Sequence, residues 1–330
     1  MLQTSLIGTG CVLAAAWSYL RHIQLPAGPR RMDWGGLVFG HRGCREVAGI
    51  PENTIEAFDY ALHHGAQGIE LDIRLSKDNE IIVFHDAFCN GHLLDIDART
   101  RLDELDLVQI KQLSFTVDPT RTARVPTLEE SILFCRDNNL KMLIELKDIK
   151  KGKLCAEKLL ELYQKYPDYM YRETSVIAFS PFILYYVRSR DHRVSTCQLY
   201  CEDLVHTWVT SGAETAPAFL RFGTPLWDWL LQQIQSRINP WVSGVSMVGP
   251  RYTMFNPKMK ERWHSRGISV YLWGFPDPSH CTAAMRVPGV FVACDDQHEA
   301  FKTPKPAPNF DIFGDEQRAR EEAANQKKLS

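Results

Sequence analysis

The chain has 330 residues, 45% of them hydrophobic and 24% charged, enough for one large domain with a sizeable core. Its 38 lysines and arginines nearly balance 40 acids and form no basic block, which argues against nucleic acid as a partner. Nine cysteines, scattered without a C-x-x-C pair, suggest neither a disulfide framework nor a zinc site, and no N-x-S/T sequon occurs.

Residues 2–20 carry no charged side chain and include Leu6, Ile7, Val12, Leu13, Trp17 and Tyr19, close to the ~20 apolar residues that span a bilayer. Ala14, Ala15 and Ala16 could mark a cleavage site, but no Lys or Arg precedes the run as a signal peptide requires. Residues 1–21 therefore read as an uncleaved N-terminal membrane anchor. Arg21, Arg30 and Arg31 follow it, and the positive-inside rule would keep the rest of the chain cytosolic. Residues 22–36, with Pro26, Ala27, Gly28 and Pro29, read as a linker.

From residue 37 the pattern alternates. Short apolar runs predict strands at 37–41, 68–72, 142–146, 175–179, 194–199, 243–247, 268–273 and 290–294. Helical patterns lie near 54–64, 127–139, 153–166, 181–190, 202–235, 256–265 and 278–286. Eight strand-helix units predict an α/β fold, a TIM (β/α)8 barrel over 37–302, with its chemistry at the C-terminal strand ends. Residues 73–125 interrupt the pattern after the second strand. Segments 71–75 and 81–85 flank a polar turn at 76–80, a hairpin that would set Asp72 roughly opposite His85. Residues 86–125, with Leu102, Leu105, Leu107, Ile110 and Leu113, read as a small inserted cap. Segment 218–238, rich in Trp and Leu but broken by Arg221 and Asp228, fits either a helix in the lipid headgroup region or a buried barrel helix. The proline-containing, charged residues 303–330 predict a disordered tail.

Glu70 and Asp72 lie two apart on a predicted strand, so their side chains share one side of the sheet. Such carboxylates repel unless a cation or proton lies between them. With Glu145 at the end of another predicted strand, they form a set of hard oxygen donors suited to Mg²⁺ or Ca²⁺. His41 and His85 are the candidate proton carriers. Arg42 and Lys147 could neutralise phosphate oxygens, one as a planar fork and the other as a point charge. Asn53 reads as a helix cap. Solvated acids, structural histidines and surface ion pairs are the alternatives for each residue taken singly.

The ordered set His41-Arg42-Gly43, Pro51-Glu52-Asn53-Thr54, Glu70-Leu71-Asp72, His85-Asp86 and Glu145-Leu146-Lys147 resembles that of the glycerophosphodiester phosphodiesterase family from about residue 37 to 295. It is most similar to the membrane-anchored animal branch that handles glycerophosphoinositol and related diesters. The resemblance implies metal-dependent hydrolysis to glycerol 3-phosphate and an alcohol, with Glu70, Asp72 and Glu145 as metal ligands and His41 and His85 as acid and base. It also implies that Glu52 borders the site and orients Arg42, and that Trp273 packs against glycerol. That branch is usually described with its catalytic domain on the non-cytosolic side, opposite to the positive-inside expectation. Two departures bear on substrate recognition. Ala87-Phe88-Cys89-Asn90-Gly91-His92 replaces the usual Arg-Thr-Thr loop after the His-Asp pair, and Gly274-Phe275-Pro276-Asp277 lacks the usual polar residue after the tryptophan. A lysophospholipase D acting on lysophospholipids or N-acylethanolamine precursors is the alternative activity, and a non-catalytic membrane scaffold is a third reading. The expected partners are a glycerophosphodiester or lysophospholipid substrate and membrane lipid, while no protein partner is indicated.

Overall fold

The structure, a computed structural model, describes residues 14–302 except 46, 119, 149 and 211–222. Nine strands occur among these residues: β1 Val38–His41, β2 Gly68–Leu75, β3 Ile81–Val83, β4 Lys141–Leu146, β5 Thr174–Ala178, β6 Thr196–Tyr200, β7 Met247–Pro250, β8 Ser269–Leu272 and β9 Val290–Cys294. All neighbours pair in parallel except β2 and β3, and β1 bonds to both β9 and β2, which closes an eight-stranded barrel with β3 outside it. Period-two alternation divides each strand between two cores. Ile69, Leu71 and Ile73 of β2 face the surrounding helices, while Phe39, Leu143, Ile177, Met247, Tyr271 and Phe291 form a separate cluster with Trp34.

The segment read as a linker is a strap under the barrel. Leu25 N donates to Val242 O at 2.8 Å and Gly28 N to Gly244 O at 2.7 Å, and fully buried Arg188 donates to Pro26 O at 2.6 Å. Gly244 has φ +59°, and a Cβ there would lie 2.1 Å from Pro26 O, so only glycine admits the strap. Trp34 then plugs the barrel, 1% exposed. A chain beginning at Met32 is expected to keep the barrel but to leave Arg188 Nη2 without Pro26 O, while its bonds to His192 O, Val194 O and Ser243 O remain. Leaving that buried donor short costs about 1–3 kcal/mol, a drop of several degrees in melting temperature by circular dichroism. An unchanged melt would show that the strap contributes nothing.

Other boundaries moved for local reasons. The strand expected at 243–247 begins at Met247, because Asn239–Val242 is helical and Gly244 turns the chain into the sheet. Pro167 splits the pattern at 153–166 and beyond into helices Gly152–Lys165 and Pro167–Glu173. The segment 202–235 holds Leu204–Thr210 and Thr224–Gln233, the latter running into a π turn at Ile234–Ile238. The hairpin register pairs Ile73 with Val83, so Asp72 lies opposite Phe84 and not His85, one residue from expectation. The cap closes on its own small core of Ile82, Phe84, Leu93, Leu102, Ile110 and Phe115.

Cys281 and Cys294 form a disulfide, contrary to the absence of pairing expected from their spacing. The helix Pro278–Ala284 packs on β9 and brings them together, a contact that spacing does not encode. Residues 14–23 are helical, whereas 1–13 of the expected anchor and the tail 303–330 lie outside the described residues. Among the described residues no helix is long and apolar enough to cross a membrane.

Candidate active site

Strand register assembles the site. His41 of β1 is level with Glu70 of β2, and Asp72 of β2 is level with Glu145 of β4. Oxygen atoms of Glu70, Asp72 and Glu145, all three buried, lie within 4.8 Å of one another. Burial and the charges of Asp72 and Glu145 hold the Glu70 carboxyl well above its usual range, the signature of crowded carboxylates lacking enough positive charge. Burial also acts to raise Asp72, but Lys147, His85, Arg42 and the Asn53 amide outweigh it and leave this carboxyl ionised. Lys147 Nζ lies 2.8 Å from Glu145 Oε1 and 3.3 Å from Asp72 Oδ1. Burial opposes its charge, yet Glu145 and Asp72 prevail and keep it an ammonium ion. The donor set of hard, converging oxygens therefore fits a divalent cation.

Arg42 is held in the left-handed region, φ +53°, a conformation that costs about 1–2 kcal/mol in a non-glycine residue. The strain aims Arg42 N at Glu70 Oε2 (3.0 Å), while the guanidinium donates to Glu52 Oε1 at 2.8 Å and approaches Asp72 Oδ2 at 3.4 Å. Asn53 is not the helix cap. Thr54 Oγ1 accepts from Ala57 N, and Asn53, at φ +58°, donates Nδ2 to Asp72 Oδ2 at 2.9 Å and accepts from Asp72 N at 3.1 Å. Sequence reasoning missed this role, although an Asn beside a Thr cap is a usable signal.

Each histidine has a carboxylate partner. His41 Nδ1 bonds Asp295, just beyond β9, and His41 Nε2 lies 3.8 Å from Glu70 Oε2. His85 Nδ1 bonds Asp86 Oδ1 at 2.6 Å. The hydrogen bond from His85 is the leading influence holding Asp86 well below the ordinary carboxylate range. Burial would raise Asp295, but its bond to His41 outweighs it. A carboxylate on Nδ1 selects the tautomer that leaves Nε2 to exchange protons. Asp295 escaped sequence reasoning because it lies 254 positions from its partner. The divergent loop after His85 closes on the same carboxylate, with Asn90 Nδ2 at 2.8 Å and His92 Nε2 at 3.3 Å from Asp86 Oδ2.

Trp273 is anchored across the barrel, its Nε1 donating to Gly249 O at 2.9 Å and its ring lying edge-on to Phe179. The structure thus brings Glu70, Asp72, Glu145, Lys147, Arg42, Glu52 and His41 into one linked group. His85 adjoins it through its field on Asp72, and Trp273 belongs to the apolar cluster that also contains Phe39 and Leu143.

Residues 41–296 match the Glycerophosphoryl diester phosphodiesterase family. The chain belongs to this family. It is accordingly a phosphoric diester hydrolase with glycerophosphodiester phosphodiesterase activity. Glycerophosphodiester phosphodiesterase 1 of Homo sapiens is 28% identical over 243 residues, covering 72% of this chain and 70% of its own length. The Bos taurus protein of that name is 27% identical over 246 residues, with the same coverage. The glycerophosphodiester phosphodiesterase of Agrobacterium tumefaciens shares the fold, with TM-score 0.60 at 19% identity over 81% of this chain and 99% of that one. An Oleispira antarctica phosphodiesterase solved with the product sn-glycerol-3-phosphate superposes with TM-score 0.59 at 15% identity, over 82% of this phosphodiesterase and 96% of that one.

Proposed function

We propose that this phosphodiesterase hydrolyses glycerophosphodiesters with small polar headgroups, such as glycerophosphoinositol, to glycerol 3-phosphate and the headgroup alcohol in a metal-dependent reaction. The observation that carries the reading is the buried triad of Glu70, Asp72 and Glu145 with a histidine-carboxylate pair on either side. A Mg²⁺ or Ca²⁺ ion held by the triad would supply Lewis acidity at the phosphoryl group. Arg42 and Lys147 place positive charge beside the phosphate oxygens, and Glu52 and Asp72 keep the Arg42 fork in position. One of His41 and His85 removes the proton of the attacking hydroxyl at Nε2, and the other delivers a proton to the departing oxygen. Trp273 offers an aromatic face to the glycerol carbons. The Oleispira protein's complex with sn-glycerol-3-phosphate supports this product. Side-by-side assays of glycerophosphoinositol, glycerophosphocholine and a lysophospholipid, with and without chelator, test the proposal. Turnover of none of the glycerophosphodiesters would overturn it.

One observation favours a second substrate class. A cavity of about 290 Å³ adjoins His85, walled by Val47, Ile50, Phe84, Phe115 and Val117, with Arg45, Glu52, Asp86 and His92 on its polar side. Its mostly apolar wall suits an acyl chain, as a lysophospholipase D acting on lysophospholipids or N-acylethanolamine precursors would need. Val117→Ser, at an exposed position of the same wall, is expected to lower kcat/KM on a lysophospholipid about tenfold while leaving glycerophosphoinositol within about twofold. Equal effects on both would remove the acyl reading.

We also place the enzyme at a membrane through its N-terminal segment. The support is the uncharged run at residues 2–20, followed directly by Arg21.

A further inference from the structure

A helix on the outside of a barrel ordinarily turns its apolar side chains inward and its polar ones to water. Residues 224–238 do the reverse. Beyond Gly223, the exposed residues of this stretch are Pro225, Leu226, Trp229, Leu230, Ile234, Arg237 and Ile238, a single charge among apolar side chains. Leu226 and Trp229 are 56% and 55% exposed. Three polar side chains are turned in and partnered, while Thr224, Gln232, Gln233 and Ser236 are half-buried at the edges. Asp228 accepts from Val205 N and His206 N, Gln235 donates to Phe179 O, and Asn239 donates to Gln198. Asp228, which interrupts the apolar run in the sequence, is therefore removed from the outward face.

Positions four apart drift around an α-helix, which would carry Ile238 out of line with Leu226. The π turn at Ile234–Ile238 winds more widely and offsets that drift, so that Leu226, Leu230, Ile234 and Ile238 make one stripe. Asp228 bonds Val205 N and Gln235 bonds Phe179 O, both just past the mouth ends of β6 and β5, so the stripe starts at the rim of the mouth and descends from there along the flank of the barrel. At its lower end Trp241 stacks on Trp17, ring centroids 5.0 Å apart and planes within 3°. Trp17 and Tyr19 are themselves 58% and 64% exposed, and they close the uncharged run of residues 2–20. The same junction encloses a cavity of about 640 Å³ whose wall includes Arg30, Arg237 and Arg266 and no carboxylate.

We propose that this flank, from Leu226 down to Trp17 and Tyr19, is a docking face for a phospholipid bilayer. The apolar stripe enters the acyl boundary while Arg30, Arg237 and Arg266 meet lipid phosphates. The proposal rests on the membrane reading of the N-terminal segment and deepens it, since Trp17 of that segment stacks on Trp241 just beyond the end of the stripe. Its consequence is geometric. The barrel lies on its side, and the mouth holding Glu70 and His41 opens along the headgroup layer.

The test uses the full chain with vesicles of phosphatidylcholine, alone or with phosphatidylserine. Leu230→Cys and Ile234→Cys, each carrying an environment-sensitive fluorophore, are compared with Glu161→Cys on another barrel helix and with unsubstituted protein as the labelling blank. Labels at 230 and 234 should shift to the blue on vesicles and be quenched by lipid-borne nitroxides, while the label at 161 stays in water. Leu226→Ser with Leu230→Ser should cut the nitroxide quenching of the label at 234 about tenfold while the anchored chain still partitions, with hydrolysis of a soluble diester unchanged. Arg237→Gln should lower that quenching about fivefold on the anionic vesicles only. If the chain partitions normally but labels 230 and 234 remain in water, the docking face is refuted and the anchor stands. If the chain does not partition at all, both fail. A blue shift without vesicles that grows with protein concentration would replace the bilayer by a second copy of the chain.

Discussion

Glu70→Gln, Asp72→Asn and Glu145→Gln are each expected to lower turnover at least about a hundredfold while the barrel remains folded. EDTA should do the same to the unsubstituted enzyme. Their buried oxygens lie within 4.8 Å of one another, so removing one donor takes away both a ligand and part of the charge that would hold a cation. Thermal melts separate this from misfolding. Without metal, Glu70→Gln removes one of three repelling carboxylates and should melt higher than the parent, whereas a structural glutamate would leave a destabilised protein. Asn53→Ala leaves all three ligands but frees Asp72 from two hydrogen bonds, and a ten- to hundredfold loss of metal affinity is expected by titration calorimetry. Undiminished hydrolysis in EDTA by protein shown metal-free through elemental analysis would sink the metal reading.

Replacement of His41 or His85 by Ala should cost ~10²–10⁴-fold on natural diesters. A p-nitrophenyl ester needs no protonation of its leaving group, so it should rescue only the variant that lost the general acid. The same experiment assigns the two roles, which the symmetrical pairing of each imidazole with a carboxylate leaves open. Asp295→Asn should reproduce a milder form of the His41 defect, because the imidazole remains but loses the partner that selects its tautomer. Near-normal rates in both histidine variants would show that neither imidazole carries the proton.

Two kinds of information separate in this protein. Local periodicity was enough for the barrel: eight apolar runs alternating with helical patterns correspond to β1, β2 and β4 to β9, and only the strand near 243 moved appreciably. The period of two was also enough to put Glu70 and Asp72 on one side of β2, because alternation is a property of the extended backbone itself. Contacts between distant segments were not legible. Asp295 on His41, Pro26 on Arg188 and Cys281 on Cys294 each depend on how elements pack, and no local pattern records their separation. The hairpin shows the limit most sharply. Its turn was evident, yet its register, which faces Asp72 with Phe84 in place of His85, follows from hydrogen bonds between two strands. The inside-out helix belongs to the same class. Composition marked residues 218–238 as amphipathic, but only the buried partners of Asp228, Gln235 and Asn239 settle which face turns outward, since a helix shows its two sides equally until the rest of the barrel claims one.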